Sequence, residues 1–341
     1  MLRKLIGLSV LLWALPLQAM QVTVTIPPLA GLVAPLLDED DQLTVLLQPG
    51  ASPHGFQIKP SHLWLLQKTD LVVSVGTPVD AWIEKPMQHH AMPHLQMSQL
   101  AGIAFLPMRQ GGVWEKHAPH AAAETHADAH HEEHVEHGEM QHELDGDAHV
   151  HETDSRSLHR PDGHIWLSMH NAQVLVKALS LQLQALQPNK AQHIQQRTQA
   201  WLNRLSQVDA DIQTQLTPVK EQPFIVLHDA YQYFEKRYQL NGVGSIRLNP
   251  EIAPSIKRIQ AIRHRMQEQK VKCVFKEPQF PEKRVSAVVS GLQVRMGSLD
   301  PIGINIQDAK GSQGFVPYDQ LLLNLAHAFY QCLAAKSSKE R

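Results

Sequence analysis

The sequence has little cysteine, no excess of charge and no second long apolar run, and each shortage removes a class of protein. Its two cysteines are Cys273 and Cys332. Neither has a ligand-spaced neighbour, so a two-cysteine metal site has no support. Lysine and arginine number 31 against 33 aspartate and glutamate, a net charge of −2. That balance gives no footing for nucleic-acid binding. Beyond the first twenty or so residues no stretch is long and apolar enough to span a bilayer. The H-E-x-x-H, G-x-S-x-G and phosphate-cradling P-loop signatures are missing as well. His131-Glu132-Glu133-His134 comes nearest to the first, but its spacing does not put both imidazoles on one helical face.

Histidine is what the chain has in excess. It carries 22, eleven of them between His117 and His159. The stretch HADAHHEEHVEHGEMQHELDGDAHVHETD has no apolar period to pack a helix or strand. Residues 115–161 are therefore expected to form a mobile surface loop. Its imidazoles and carboxylates form a low-affinity metal array, with His126, His130, His131, His134, His137, His142, His149 and His151 as ligands. The bland alternative is a solvated insertion that binds metal only incidentally.

Arg3 and Lys4 precede an apolar run over residues 5–17, and Ala19 is a small residue suited to cleavage. This pattern predicts a secretory signal peptide at 1–19 and an exported, soluble mature chain. No cysteine follows the run to take a lipid. In an oxidising compartment Cys273 and Cys332 most simply form a disulfide, two buried thiols being the alternative. Closing that loop would stabilise the fold by roughly 4 kcal/mol.

The remaining length exceeds one typical core, so two domains are expected. QVTVTIPP, QLTVLLQPG and DLVVSVG read as strands, with helices at LAGLVAPLLD and SHLWLLQKT between them. Such alternation predicts a parallel sheet covered on both faces. GHIWLS reads as a strand or strand end, and NAQVLVKALSLQLQAL as a helix. Ile194, Trp201, Leu205, Val208, Ile212 and Leu216 then recur at helical spacing, predicting a long stiff helix over 189–218. After it the pattern restarts, with strands at PFIVLH and VKCVFKEP and helices at IAPSIKRIQAIRHRMQEQK, RVSAVVSGL and YDQLLLNLAHAFYQCLAA. The expected architecture is α/β. One lobe spans 20–188 and a second spans 219–341, each with a mostly parallel sheet flanked by helices, and the long helix joins them.

Three histidines stand apart from the crowded tract, each at a predicted strand–loop junction. They are His54 in PGASPHGF, His164 in DGHIWLS and His228 in FIVLHDAY. Ligands of open α/β sheets gather beyond the carboxyl ends of strands, so two facing lobes can bring these imidazoles together. Taken singly, each is more often a hydrogen-bonded surface residue. Taken together, three neutral imidazoles with an open fourth position make a common zinc arrangement.

ASPHGFQIKPS, the histidine-rich loop, HIWLS, HDAYQYFEK, NPEIAPS, CVFKEPQF and VRMGSLDPIG, in that order, resemble the periplasmic zinc-binding proteins of ABC importers. The resemblance covers nearly the whole mature chain. It implies two α/β lobes joined by a rigid helix, with zinc in the cleft on His54, His164 and His228. It also implies a Cys273–Cys332 disulfide, and delivery of Zn²⁺ to a membrane permease and its ATPase. A periplasmic zinc chaperone is a further candidate partner, and a monomer is expected. Asp300, in SLDPIG, is the candidate fourth or outer ligand. Met169-His170 departs from the family pattern and makes His170 a minor extra candidate. An exported zinc enzyme is the competing reading, and it would need a general base beside the open position. An adhesin role, assigned to some related proteins, has no surface here to single it out. The resemblance implies a carrier and not an enzyme.

Overall fold

The computed structural model describes residues 19–335, apart from 49, 90–91, 110–113, 115–160, 248–253 and 304–314. The expected signal peptide, save Ala19, and the tract histidines from His126 to His151 lie outside the described residues.

Short buried runs rich in β-branched residues build two sheets. The first holds β1 (Gln21–Val24), β2 (Gln42–Val45), β3 (Leu71–Ser74) and β4 (His94–Gln96), in the order β2-β1-β3-β4. All its pairings are parallel, with Val22 beside Leu43 on one side and Leu71 on the other. Connections run through α1 (Pro27–Val33), α2 (Pro60–Leu66) and α3 (Glu84–Gln88). Helix α1 opens on Pro27 and Pro28, where the missing N–H groups cost nothing.

The polypeptide then passes through α4 (Met169–Leu186), capped by Ser168 Oγ accepting from Asn171 N, and α5 (Ala191–Leu216). The second sheet follows, in the order β6-β5-β7-β8 and again all parallel. Its strands are β5 (Phe224–His228), β6 (Gly242–Arg247), β7 (Cys273–Lys276) and β8 (Arg295–Ser298). Helices α6 (Gln232–Tyr238), α7 (Ile256–Glu268), α8 (Lys283–Val289) and α9 (Tyr318–Ala334) cover it. This is the expected pair of helix-flanked parallel sheets joined by a long helix.

At 26 residues, α5 is the longest element. It buries Ile194, Thr198, Trp201, Leu205, Val208, Ile212 and Leu216 as one stripe, spaced by threes and fours. That stripe packs along both α4 and α9. One apolar core consequently runs without interruption from Val22 and Leu29, past Leu205 and Val208, to Phe224 and Phe329. The chain also ties itself at the far end, where α1 crosses α9. A Cβ at Gly31 would sit 2.5 Å from the Val316 carbonyl, so only glycine permits this approach.

Two features depart from the sequence reading. HIWLS is not a strand: Ile165–Leu167 is a 3₁₀ helix leading into α4. Its apolar run is buried because it plugs the space between the two halves, and no strand among the described residues pairs with it. Strands β4, β6 and β8 also escaped the reading. β4 and β8 are short edge strands with mixed exposure, and β6 begins GVG, poor in strand-forming residues.

Cys273 in β7 and Cys332 in α9 are joined by a disulfide across 59 residues, with Cα atoms 6.0 Å apart. Replacing both by serine should lower the unfolding free energy by roughly 4 kcal/mol on the chain-entropy account. Denaturant unfolding of the pair of proteins checks this, and an unchanged midpoint would show that the crosslink does not restrict the unfolded chain.

Candidate metal centre

Each of the three singled-out histidines is placed by local chemistry. His54 sits in a 3₁₀ turn, Pro53–Gly55, just beyond β2. The turn is fixed by Trp82 Nε1, which donates to the Pro53 carbonyl at 3.2 Å, and by Phe56 packed on Trp82 at 4.5 Å between ring centroids. His164 precedes the Ile165–Leu167 turn. Its neighbour Gly163 has no room for a side chain, since a Cβ would meet Val79 at 2.8 Å, and its carbonyl accepts from Thr77 Oγ1 at 3.1 Å. Trp166 Nε1 crosses to the other half and donates to the Pro301 carbonyl at 2.9 Å. His228 closes β5 at its carboxyl end.

These placements converge. The ring centroids of His54, His164 and His228 lie 5.5, 5.0 and 4.8 Å apart pairwise. One nitrogen from each falls within 4.8 Å of the others, and this trio is the group among the described residues able to hold a metal ion. Tetrahedral zinc with Zn–N near 2.0–2.1 Å needs nitrogens about 3.3 Å apart. The cavity that the rings line, with Ser52, Trp166 and Glu277, is about 10 Å³, roughly the room for one water-sized body.

Carboxylates stand behind two of the rings. Asp162 Oδ1 accepts from His164 Nδ1 at 2.7 Å and from its backbone N–H at 3.0 Å. The bond places the proton on Nδ1 and turns the Nε2 lone pair toward the cavity. Glu277 Oε1 lies 3.4 Å from His228 Nδ1 as a charge contact, and accepts from Tyr231 Oη at 3.2 Å. His164 Nε2 and both nitrogens of His228 are buried with no hydrogen-bond partner among the described residues. Buried polar atoms are seldom left so; a cation bound by the lone pairs would satisfy one nitrogen of each ring, His228 Nδ1 facing Glu277.

Electrostatics divides the proton affinities. Burial, then the charges of His228 and His164, hold the His54 imidazolium well below its ordinary range. Burial also pushes His228 down, but Glu277, Asp229 and Asp162 outweigh it and leave its pKa raised. Burial thus favours the neutral form of His54, while the nearby carboxylates favour the protonated form of His228.

The other candidates are engaged elsewhere. Asp300 is outside the trio. Its Oδ1 accepts from Gln279 Nε2 at 2.6 Å and from the Ile302 and Gly303 N–H groups at 3.1 and 2.9 Å. It thereby shapes the turn whose Pro301 carbonyl receives Trp166. His170 is exposed, and its Nε2 donates to the Gly102 carbonyl at 2.9 Å. Sequence analysis assigned no role to Asp162 or Glu277. The signal was present: Asp162 stands two residues before His164, and Glu277 lies in CVFKEP just past β7.

The family described as ZnuA, zinc-uptake complex component A, periplasmic, matches residues 22–331. The chain belongs to the ZnuA family. It is 32% identical over 328 residues to the high-affinity zinc uptake system protein ZnuA of Yersinia pestis, covering 95% of each chain. The protein of that name from Brucella suis is also 32% identical, over 92% of this chain and 91% of its own. A crystal structure of ZnuA superposes with a TM-score of 0.70 at 22% identity, covering 93% of this chain and 100% of the other. The periplasmic zinc-binding protein TroA of Treponema pallidum gives 0.69 at 20%, with the same coverage. At these identities the structural likeness speaks for the fold.

If the Asp162 carboxylate orients the ZnuA-family site as its geometry indicates, Asp162→Asn should weaken Zn²⁺ binding about 10–100-fold while leaving the fold intact. Competition against a calibrated chelator measures this, and an unchanged affinity would reduce Asp162 to a packing role.

Proposed function

We propose that this chain captures Zn²⁺ in the periplasm on His54, His164 and His228 and hands it to the membrane permease and ATPase of an ABC importer. The observation that carries the reading is the convergence of three imidazoles, two of which turn a buried Nε2 with no hydrogen-bond partner among the described residues into the cavity. Three nitrogen donors suit zinc better than manganese, which favours hard oxygen ligands. Copper would bind such a set more tightly by intrinsic affinity, so metal availability decides the cargo. High-affinity zinc uptake is what the named relatives from Yersinia pestis and Brucella suis do.

The protein acts in this reading as a monomeric carrier and not an enzyme, with lobes at 20–188 and 219–341 about the helix at 189–218. Asp300 supports the site from outside through the Pro301 turn. The histidine-rich tract at 115–161 is an auxiliary array. Tethered beside the centre, it raises the local zinc concentration as any linked weak site does, and a periplasmic zinc chaperone is a candidate partner for it.

Calorimetric titration of the metal-free mature chain with Zn²⁺ should show one tight site plus weaker ones. Removing residues 116–159 should abolish only the weak sites, and His228→Ala only the tight one. A tight site that vanishes with the tract would move capture there and overturn the assignment of the trio.

Affinity should also fall with acidity. Zinc needs neutral imidazoles, and the proton that Glu277 helps hold on His228 must leave first. From about pH 7.5 to about pH 5.5, a range spanning the ordinary imidazole pKa near 6.5, tight binding should weaken and proton release on binding should grow. A flat profile would mean that the trio is not the tight site.

A further inference from the structure

The segment 106–109 leaves the first half of the molecule and lies against the start of α6. Leu106 N–H donates to Tyr233 Oη at 3.0 Å, and that hydroxyl donates to the Asp162 carbonyl at 2.9 Å. Asp162 N–H returns to the Leu106 carbonyl at 2.8 Å. Pro107 bridges to Pro161, and its carbonyl accepts from Gln232 Nε2 at 3.2 Å.

At the end of this segment Arg109 reaches two buried carboxylates. Its Nε donates to both oxygens of Asp229 at 3.1 Å, and its Nη1 to Glu235 Oε2 at 2.6 Å. Nη2 joins Asp229 Oδ1 and, at 3.2 Å, Glu235 Oε1. The Asp229 and Glu235 side chains are 6% and 5% exposed. Trp114 covers the guanidinium at 3.8 Å. Space for Glu235 is kept by Gly242, where a Cβ would lie 2.4 Å from Oε2.

Asp229 directly follows His228 in the chain. Asp162, bonded to the same segment as Arg109, holds His164. We propose that Arg109 is a positioning residue for the metal centre: by clamping Asp229 and Glu235 to the segment that fixes Asp162, it sets the separation of His164 and His228. This rests on the trio being the zinc site. Arg109 touches no ligand atom and acts on the residence time of the metal through the spacing of two rings. Its planar fork matters, because one lysine ammonium cannot grip two carboxylates in fixed geometry.

The test is the rate at which Zn²⁺ passes from the full mature chain to an excess of chelator, followed by stopped flow, with the thermal midpoint of each metal-free protein beside it. Arg109→Gln should speed release from the tight site about 10–100-fold, the range for outer partners of metal ligands, with one tight site per chain retained. Since that variant leaves two carboxylates facing each other, R109Q/D229N/E235Q removes the charges and guards against misfolding. It should release zinc as fast as Arg109→Gln, and Arg109→Lys should fall between Arg109→Gln and the parent. A purely structural ion cluster would lower the midpoint and leave the release rate of the folded variants at the parent value, which would overturn the proposal. Failure of the parent itself to show one tight Zn²⁺ site per chain would instead overturn the functional reading, and the clamp with it.

Discussion

Leaving imidazole nitrogens buried and unpaired is the constraint on which the surrounding structure depends. A buried polar group without a partner costs about 1–3 kcal/mol, and His164 and His228 together carry three such atoms. Rotating a ring to find a partner would relieve that cost and spoil the site. Asp162 prevents this at His164 because its Oδ1 accepts from both the ring Nδ1 and the backbone N–H. Glu277 does so at His228 by charge, itself steadied by Tyr231. The carboxylates thus keep the lone pairs available by occupying, or electrically pinning, the far sides of the rings.

Parallel sheets make this arrangement accessible. Strand carboxyl ends in both halves point to one seam, so the residue closing β5 and the turn beyond β2 arrive there together. The seam is then stiffened from outside. α5 lends one apolar stripe to both α4 and α9, and the core passes through it unbroken. Trp166, bonded to Pro301, and Tyr318, whose hydroxyl donates to the Trp166 carbonyl at 2.5 Å, knit the two halves directly above that stripe.

How much of this was legible depended on whether a feature is local. The sheets were legible because QVTV, LVVS and FIVLH are continuous β-branched or apolar runs between turn signals. The stripe from Ile194 to Leu216 gave α5 by periodicity alone. The three histidines were legible as residues outside the tract at predicted strand–loop junctions, although only His228 closes a strand, and the family resemblance implied their convergence. HIWLS misled because an apolar run of that length buries equally well as a plug. Edge strands β4 and β8 lacked the run that a central strand needs. Arg109 had no local signature at all: its partner Asp229 lies 120 residues away, and only the folded chain shows that both carboxylates near it are buried.

His164 and His228 are buried and backed by carboxylates, whereas His54 is only partly covered. His54 also lacks a carboxylate among the causes that set its proton affinity, which is fixed by burial and its two sister rings. It sits on a one-turn element held by a proline carbonyl and an aromatic stack, outside the regular hydrogen bonding of the sheet. Low local stability belongs to elements of this kind. In the proposed zinc site the two carboxylate-backed rings are thus the more firmly held, and the His54 turn is held by fewer bonds. A carrier needs both behaviours at once, because affinity without a yielding ligand would trap its cargo.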